Sequence, residues 1–97
     1  MKAVSIYGYK HIDSDGHLTE AAIWKVPVGL MYPEGVKYRM AFVPKGYARP
    51  VILYDNHHPK RHHKHIGGIE MPYDFMNVFQ LQADFDHDVR EWRKLCG

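Results

Sequence analysis

Residues 54–66 concentrate the side chains of this sequence that could take part in chemistry. Five of the eight histidines fall here: His57, His58, His62, His63 and His65. The segment also carries three cations and one carboxylate: Lys60, Arg61, Lys64 and Asp55. Histidine titrates near neutrality, and charged groups are costly to bury without a partner. The segment therefore indicates proton transfer, metal binding or anion binding rather than a piece of the core.

His63 and His65 form a pair that could move protons. If residues 63–65 are extended, both imidazoles project from one face and Lys64 from the other, with the two Cβ atoms on the order of 7 Å apart. One imidazole could then accept the proton of a ribose 2′-hydroxyl while the other protonates the leaving 5′-oxygen. This arrangement predicts RNA cleavage that needs no metal ion.

The charged neighbours fit the same mechanism. A nearby cation, supplied by Lys60, Arg61 or Lys64, would stabilise the charge of the phosphorane. Asp55 would orient one imidazole and fix its tautomer. The predicted catalytic residues are His63, His65, Asp55 and Lys60.

Two alternatives use the same side chains. His63 and His65 with Asp55 offer three ligands of the kind that zinc or nickel binds, although three neighbouring cations disfavour a divalent ion. The segment could instead be a non-catalytic module that grips phosphate or a protein. Simple exposure in a loop is the favoured interpretation of the other histidines: His57, His58, His62, His11, His17 and His87.

Length and composition favour a single domain over residues 1–97. With 45% hydrophobic residues in 97, the chain can build one modest core. Its net charge of +2 is lower than a dedicated nucleic-acid coat would show. The single cysteine, Cys96, forms no internal disulfide, and no apolar run suits a signal peptide or a membrane span. We therefore expect a cytoplasmic protein with no cofactor and no membrane contact.

Alternating apolar residues predict four to five strands joined by short turns. Strands are expected at residues 2–10, 17–26, 36–42 and 51–54, and at 63–65 if the histidine segment is extended. Asp13-Ser14-Asp15-Gly16 has the chemistry of a hairpin turn. Gly67-Gly68 is expected to loosen the chain before residues 69–72 lead to the last element.

That last element is a helix. Asn77 is expected to cap it, with Gln80 reaching back in a capping box and with Met76 and Leu81 as a hydrophobic staple. The buried stripe is predicted to consist of Leu81, Phe85, Val89, Trp92 and Cys96. Acidic residues toward the start and basic residues toward the end would suit the helix dipole: Asp84, Asp86, Asp88, Arg90, Arg93 and Lys94. The prediction is an α+β fold, an antiparallel meander covered by one C-terminal helix.

Lys37 and Arg39 alternate with the apolar residues of the third predicted strand. A solvated sheet face is the favoured interpretation of this pair. The functional alternative is a basic strip that meets phosphates.

Several pieces of the sequence resemble the TumE-type toxin family of toxin–antitoxin systems. The pieces lie within residues 20–92: Trp24-Lys25-Val26-Pro27, Lys37-Tyr38-Arg39, Tyr54-Asp55-Asn56, Lys60 to Ile66, Pro72-Tyr73-x-Phe75 and Phe85-x-x-x-Val89. The resemblance implies a small toxin that acts on RNA or translation and is encoded beside a helix-turn-helix antitoxin. It carries over to Asp55, Asn56, Lys60, His63, Lys64 and His65, while His57, His58 and His62 depart from the family pattern.

The resulting prediction is a toxin that acts as a metal-independent endoribonuclease through His63 and His65. The predicted substrate-binding residues are Lys64, Arg61, Asn56, Lys37 and Arg39. The expected partners are RNA and a cognate helix-turn-helix antitoxin, and a homodimer is left open.

Overall fold

The computed structural model describes residues 3–96, which form one six-stranded antiparallel sheet and one helix. The elements are β1 (Val4–Ile12), β2 (Leu18–Lys25), β3 (Val36–Val43), β4 (Ile52–Asp55), β5 (His63–Ile66), β6 (Ile69–Pro72) and α1 (Val78–Cys96). Each strand pairs with the next one along the chain. The predicted α+β class, the meander and the C-terminal helix are therefore confirmed, with six strands instead of four to five.

The sixth strand exists because of the turn at Gly67 and Gly68. Their φ angles are 58° and 87°, the left-handed values that a tight hairpin turn needs at both central positions. Ile66 pairs with Ile69 and His65 with Glu70 across this turn. The expectation that the two glycines loosen the chain is wrong, since their freedom from a Cβ allows a sharp reversal instead.

The first hairpin follows the predicted turn. Gly16 has a φ of 85°, and Asp13 Oδ1 accepts a hydrogen bond of 2.9 Å from Asp15 N. Strand β1 continues to Ile12, two residues beyond its predicted end. Lys2, where that strand was expected to begin, lies outside the described residues.

The core lies between the helix and one face of the sheet. Tyr38, Met40 and Phe42 of β3 are buried, as their two-residue spacing predicts. Other strands and the helix complete the cluster with Ala21, Ile23, Ile52, Tyr54, Leu81 and Phe85. Val89 and Trp92 pack against it, whereas Cys96 is exposed, so the predicted stripe ends one turn early.

The start of α1 confirms part of the predicted cap. Asn77 Oδ1 accepts a hydrogen bond of 2.8 Å from Gln80 N. The side chain of Gln80 donates forward to Asp84 Oδ1 at 2.7 Å, so it does not complete a capping box. Met76 is 70% exposed, so it contributes little to the predicted hydrophobic staple.

The charged residues of α1 are placed to suit the helix dipole, as predicted, at one end of the helix only. Its last turn carries Arg93 and Lys94, as expected. Its first turn holds no acidic residue among those described, because the helix begins at Val78 and the aspartates follow later. Within residues 3–96, no helix has the length and apolar character needed to cross a membrane.

The two faces of the sheet carry different residues. The helix face bears the core, together with Tyr54 and Lys64, which are paired across β4 and β5. The opposite side, here called the helix-free face, bears Asp55, His63 and His65. The alternation of side chains along a strand accounts for this separation.

Candidate functional site

The candidate site lies where β3 to β6 run side by side on the helix-free face. One row of paired residues consists of Arg39, Asp55 and His63. The next row contains Leu53, His65 and Glu70. Side chains in such rows are close neighbours, so the sheet register alone brings both histidines together with a carboxylate and a cation.

His63 and His65 do share one face, as the sequence predicts. Their ring centroids are 5.3 Å apart and their planes are inclined by 75°. His63 is only 8% exposed, whereas the side chain of His65 is 29% exposed. The pair therefore combines one imidazole fixed by its surroundings with one that solvent and ligands can reach.

A backbone carbonyl fixes the tautomer of His63. Its Nδ1 lies 2.9 Å from the carbonyl oxygen of Arg61, which can only accept, so Nδ1 carries the proton. Arg61 has a φ of 66°, a left-handed conformation that costs an ordinary residue roughly 1–2 kcal/mol. In neutral His63 the second nitrogen, Nε2, is therefore the one that can accept a proton.

Glu70 is a member of the site that the sequence did not reveal. Its Oε1 accepts a hydrogen bond of 2.8 Å from Lys60 Nζ and lies 3.4 Å from His65 Nε2. The hydrogen bond from Lys60 lowers the pKa of Glu70 below its ordinary value, so the carboxylate is charged at neutral pH. The paired glycines before β6 were the available signal, because a tight hairpin there sets Glu70 opposite His65.

Lys64 is not brought together with the histidine pair. Its Nζ lies 3.2 Å from Asp88 Oδ2 on the helix and 3.4 Å from the hydroxyl of Tyr54. The Tyr54 hydroxyl donates a hydrogen bond to the same carboxylate of Asp88. The pKa of Tyr54 is raised, first because the residue is buried and second because of this bond to Asp88. Lys64 thus ties β5 to α1 on the helix face, and a role in phosphate binding does not follow from its position.

Asp55 and Asn56 bond to backbone groups. Asp55 Oδ1 accepts a hydrogen bond of 2.6 Å from the backbone N–H of His57, rather than from an imidazole as predicted. Asn56 is 3% exposed; its Oδ1 accepts from Tyr38 N at 2.8 Å, and its Nδ2 donates to the carbonyl of Val36 at 2.9 Å. Asn56 therefore fixes the end of β4 against the start of β3, and it is too buried for the predicted contact with substrate.

Cations border the pair on its exposed side. Arg39 is exposed in the row of His63, and Arg61 is exposed on the turn before β5. Lys37 is half-buried, with its Nζ 6.0 Å from the centre of the Trp24 ring. Lys37 and Arg39 thus lie on the helix-free face of β3, and the solvated face that the sequence favours and the alternative of a basic strip both fit this position.

His62 is not the exposed loop residue that the sequence predicts. Its side chain is only 12% exposed and stacks on Phe75, with ring centroids 4.6 Å apart. Nε2 donates to Glu34 Oε1 at 3.0 Å, which leaves Nδ1 to accept from the Tyr38 hydroxyl at 2.8 Å. His62 therefore connects the 27–35 loop to the start of β5, and its partners are too distant in sequence to be read from a pattern.

The other histidines mostly follow expectation. His57 and His58 are exposed on the turn between β4 and β5, as are His11 and His87 on their elements. His17 differs, because its Nδ1 accepts a hydrogen bond of 2.9 Å from Lys45 N and its ring packs edge-on against Phe42 and Trp92.

Three of the side chains could together hold a metal ion. One nitrogen of His63, one nitrogen of His65 and one oxygen of Glu70 all lie within 4.8 Å of one another. This set differs from the predicted one, since Glu70 replaces Asp55. The two imidazoles could equally contact a hydroxyl that attacks a phosphodiester and the oxygen that leaves it.

The comparisons with known proteins point to one family. A family model described as Toxin TumE matches residues 3–93, nearly the whole chain. No curated protein and no solved structure matches at a significant level. The chain therefore belongs to the TumE family, a family of toxins of toxin–antitoxin systems, and the resemblance drawn from its motifs is confirmed.

Proposed function

We propose that this member of the TumE toxin family is an endoribonuclease that cleaves RNA without a metal ion. The observation that carries the proposal is the His63–His65 pair, with rings 5.3 Å apart and the tautomer of His63 fixed. Two imidazoles at that separation can contact the attacking and the leaving oxygen of one phosphodiester.

The surroundings of each imidazole suggest its role. Neutral His63 presents Nε2 as an acceptor and would remove the proton of the ribose 2′-hydroxyl as general base. His65 lies 3.4 Å from the carboxylate of Glu70, which would balance the charge of an imidazolium. His65 would therefore be the general acid that protonates the 5′-oxygen.

The bonds exchanged in this reaction are few. The 2′-oxygen forms a bond to phosphorus while the bond from phosphorus to the 5′-oxygen breaks. One proton passes to His63 and one leaves His65. The products are a 2′,3′-cyclic phosphate and a 5′-hydroxyl end.

Cations would hold the phosphates of the substrate. Arg39 is exposed in the row of His63 with Asp55 between them, Arg61 is exposed on the turn before β5, and guanidinium groups bind phosphate through two parallel hydrogen bonds. Lys60 is held by Glu70 at 2.8 Å, but its side chain is 61% exposed and could turn toward a phosphate. Lys37 would extend the strip along β3.

The antitoxin of this toxin would act most directly by covering the same surface. We propose a helix-turn-helix antitoxin that places acidic side chains against Arg39, Arg61 and Lys60. Such contacts would exclude RNA from the histidine pair and would weaken as salt concentration rises.

The test is cleavage of a short RNA by the purified protein in EDTA, with the ends of the products identified. We expect a 2′,3′-cyclic phosphate, and we expect no cut when the attacking ribose is replaced by 2′-deoxyribose. Cleavage of the deoxy substrate would rule out the 2′-hydroxyl as nucleophile. Binding of RNA without cleavage, while growth arrest persists, would favour a non-catalytic binding module.

A further inference from the structure

We propose that His63, His65 and Glu70 form a Zn²⁺ site whose occupation switches the toxin off. The three ligand atoms lie within 4.8 Å of one another. The site itself depends on these three donors alone, while its inhibitory effect rests on the proposed function. Two imidazole nitrogens with one carboxylate oxygen, leaving a position for water, are a donor set that Zn²⁺ accepts.

The β5–β6 hairpin supplies all three donors. His65 and Glu70 are directly paired across the two strands, and His63 follows two residues away on the same face. Zn²⁺ bonds of about 2.1 Å in a tetrahedral site place two ligand atoms about 3.4 Å apart. His65 Nε2 and Glu70 Oε1 already have that separation of 3.4 Å.

The carbonyl of Arg61 supports His63 as a ligand. Histidines that bind metals usually donate their other ring N–H to a carbonyl or a carboxylate, which fixes the tautomer and aims the free nitrogen. His63 Nδ1 makes this bond to Arg61 at 2.9 Å. Nε2 is therefore held as the nitrogen available to an ion.

Lys60 is the competitor that an ion must displace. Its ion pair with Glu70 joins side chains that are 61% and 44% exposed. Exposed ion pairs of this kind contribute little to stability, because solvent screens them and two long side chains must be held in one geometry. Since two imidazoles bind at the same time, Zn²⁺ can offset this loss and leave Lys60 in solvent.

The donor set also selects against the common hard cations. Mg²⁺ and Ca²⁺ prefer oxygen ligands, and this group offers one carboxylate. Nitrogen donors favour Zn²⁺ and its neighbours among the transition metals. Once both imidazoles are ligands, neither can accept or donate the protons of the cleavage reaction.

The test is calorimetric titration of ZnCl₂ into the full chain without RNA. We expect one Zn²⁺ per chain, no binding of MgCl₂, and more than about tenfold weaker Zn²⁺ binding in Glu70→Gln and His65→Gln. The matched control is the double variant His57→Gln/His58→Gln, which removes two exposed histidines of the adjacent turn and should bind as the parent does. Equal binding by the parent, Glu70→Gln and His65→Gln would overturn the site.

A cleavage assay then separates the site from its effect. One equivalent of Zn²⁺ should stop RNA cleavage by the parent chain, and excess EDTA should restore it. Cleavage that is unchanged with Zn²⁺ bound, or that occurs only with Zn²⁺, would overturn the inhibitory role. Should RNA stay intact under every condition, the proposed function would fail, while the titration would still decide whether the metal site exists.

Discussion

Four consecutive residues, 62 to 65, divide between two tasks according to the side of the sheet on which they lie. His62 and Lys64 point to the helix side, where each has partners from distant parts of the chain. His63 and His65 point to the helix-free side, where they face each other and Glu70. Residue type alone therefore does not separate the histidine with structural partners from the two proposed to move protons, whereas the alternation of side chains along the strand does.

The largest expected effect on activity comes from a substitution on the helix-free side. Substitution of His65 with Gln should lower the rate of RNA cleavage by about 10²–10⁴, because a general acid is lost. Growth arrest after induction in a bacterial host should disappear with it. His57→Gln, on the exposed turn, should arrest growth as the parent does. Arrest by soluble His65→Gln at the parent level would remove this histidine from the mechanism.

The largest expected effect on stability belongs to His62. Replacement by Ala removes stacking on Phe75 and leaves the Tyr38 hydroxyl and Glu34 without their partner. We expect the free energy of unfolding in urea to fall by about 2–3 kcal/mol. His58→Ala should change it by less than about 0.5 kcal/mol, since exposed side chains contribute little. Similar values for the two variants would contradict the division between the two sides.

A smaller stability effect is expected at Lys64. Lys64→Met removes the partly buried ion pair with Asp88 and should lower the free energy of unfolding by about 1–2 kcal/mol. The rate of RNA cleavage by the folded protein should stay within about twofold of the parent rate, as for a change outside the reacting groups. Lys94→Met, at an exposed helix pair, provides the control. A large loss of activity in folded Lys64→Met would instead indicate that Lys64 contacts the phosphate of the substrate.

The smallest effect is a pH dependence on the helix side. The hydrogen bond from Arg93 is the main cause that lowers the pKa of Asp13 to about 2. A depressed carboxyl pKa stabilises the fold above the unfolded pKa, and this contribution is lost as pH falls from about 4 through about 2. The melting temperature of Asp13→Asn should therefore fall less over that range than that of the parent. The melting temperature of Asp15→Asn, which changes a more exposed neighbour of Arg93, should depend on pH as that of the parent does. The same pH dependence in all three proteins would contradict the assignment of this effect to Asp13.

Much of the fold could be predicted because its causes are local. The alternation in Val36–Val43, the turn at Asp13 to Gly16 and the cap at Asn77 each depend on residues within one element. The sequence does not predict strand β6, although its signal is also local, because paired glycines suit a loose linker as well as a tight turn. Only the hairpin that they form distinguishes the two.

The candidate site was harder to predict because its contacts join residues that are far apart in the sequence. The extended spacing of His63 and His65 correctly predicted a shared face. Asn56 and Lys64 have partners 20 and 24 residues away, which no local pattern gives. Asp55 was expected to orient an imidazole, but the nearby N–H of His57 offers a local turn bond that an aspartate readily forms.

The most direct test of metal-free catalysis by His63 and His65 is the RNA cleavage rate, in EDTA, of the parent chain, His65→Gln and the double variant His63→Gln/His65→Gln. The parent should cleave at the same rate with and without EDTA. The double variant should be little slower than His65→Gln alone, because residues that act as one unit lose activity non-additively. Loss of the parent activity in EDTA, or a double variant that cleaves at the parent rate, would contradict metal-free catalysis by this histidine pair.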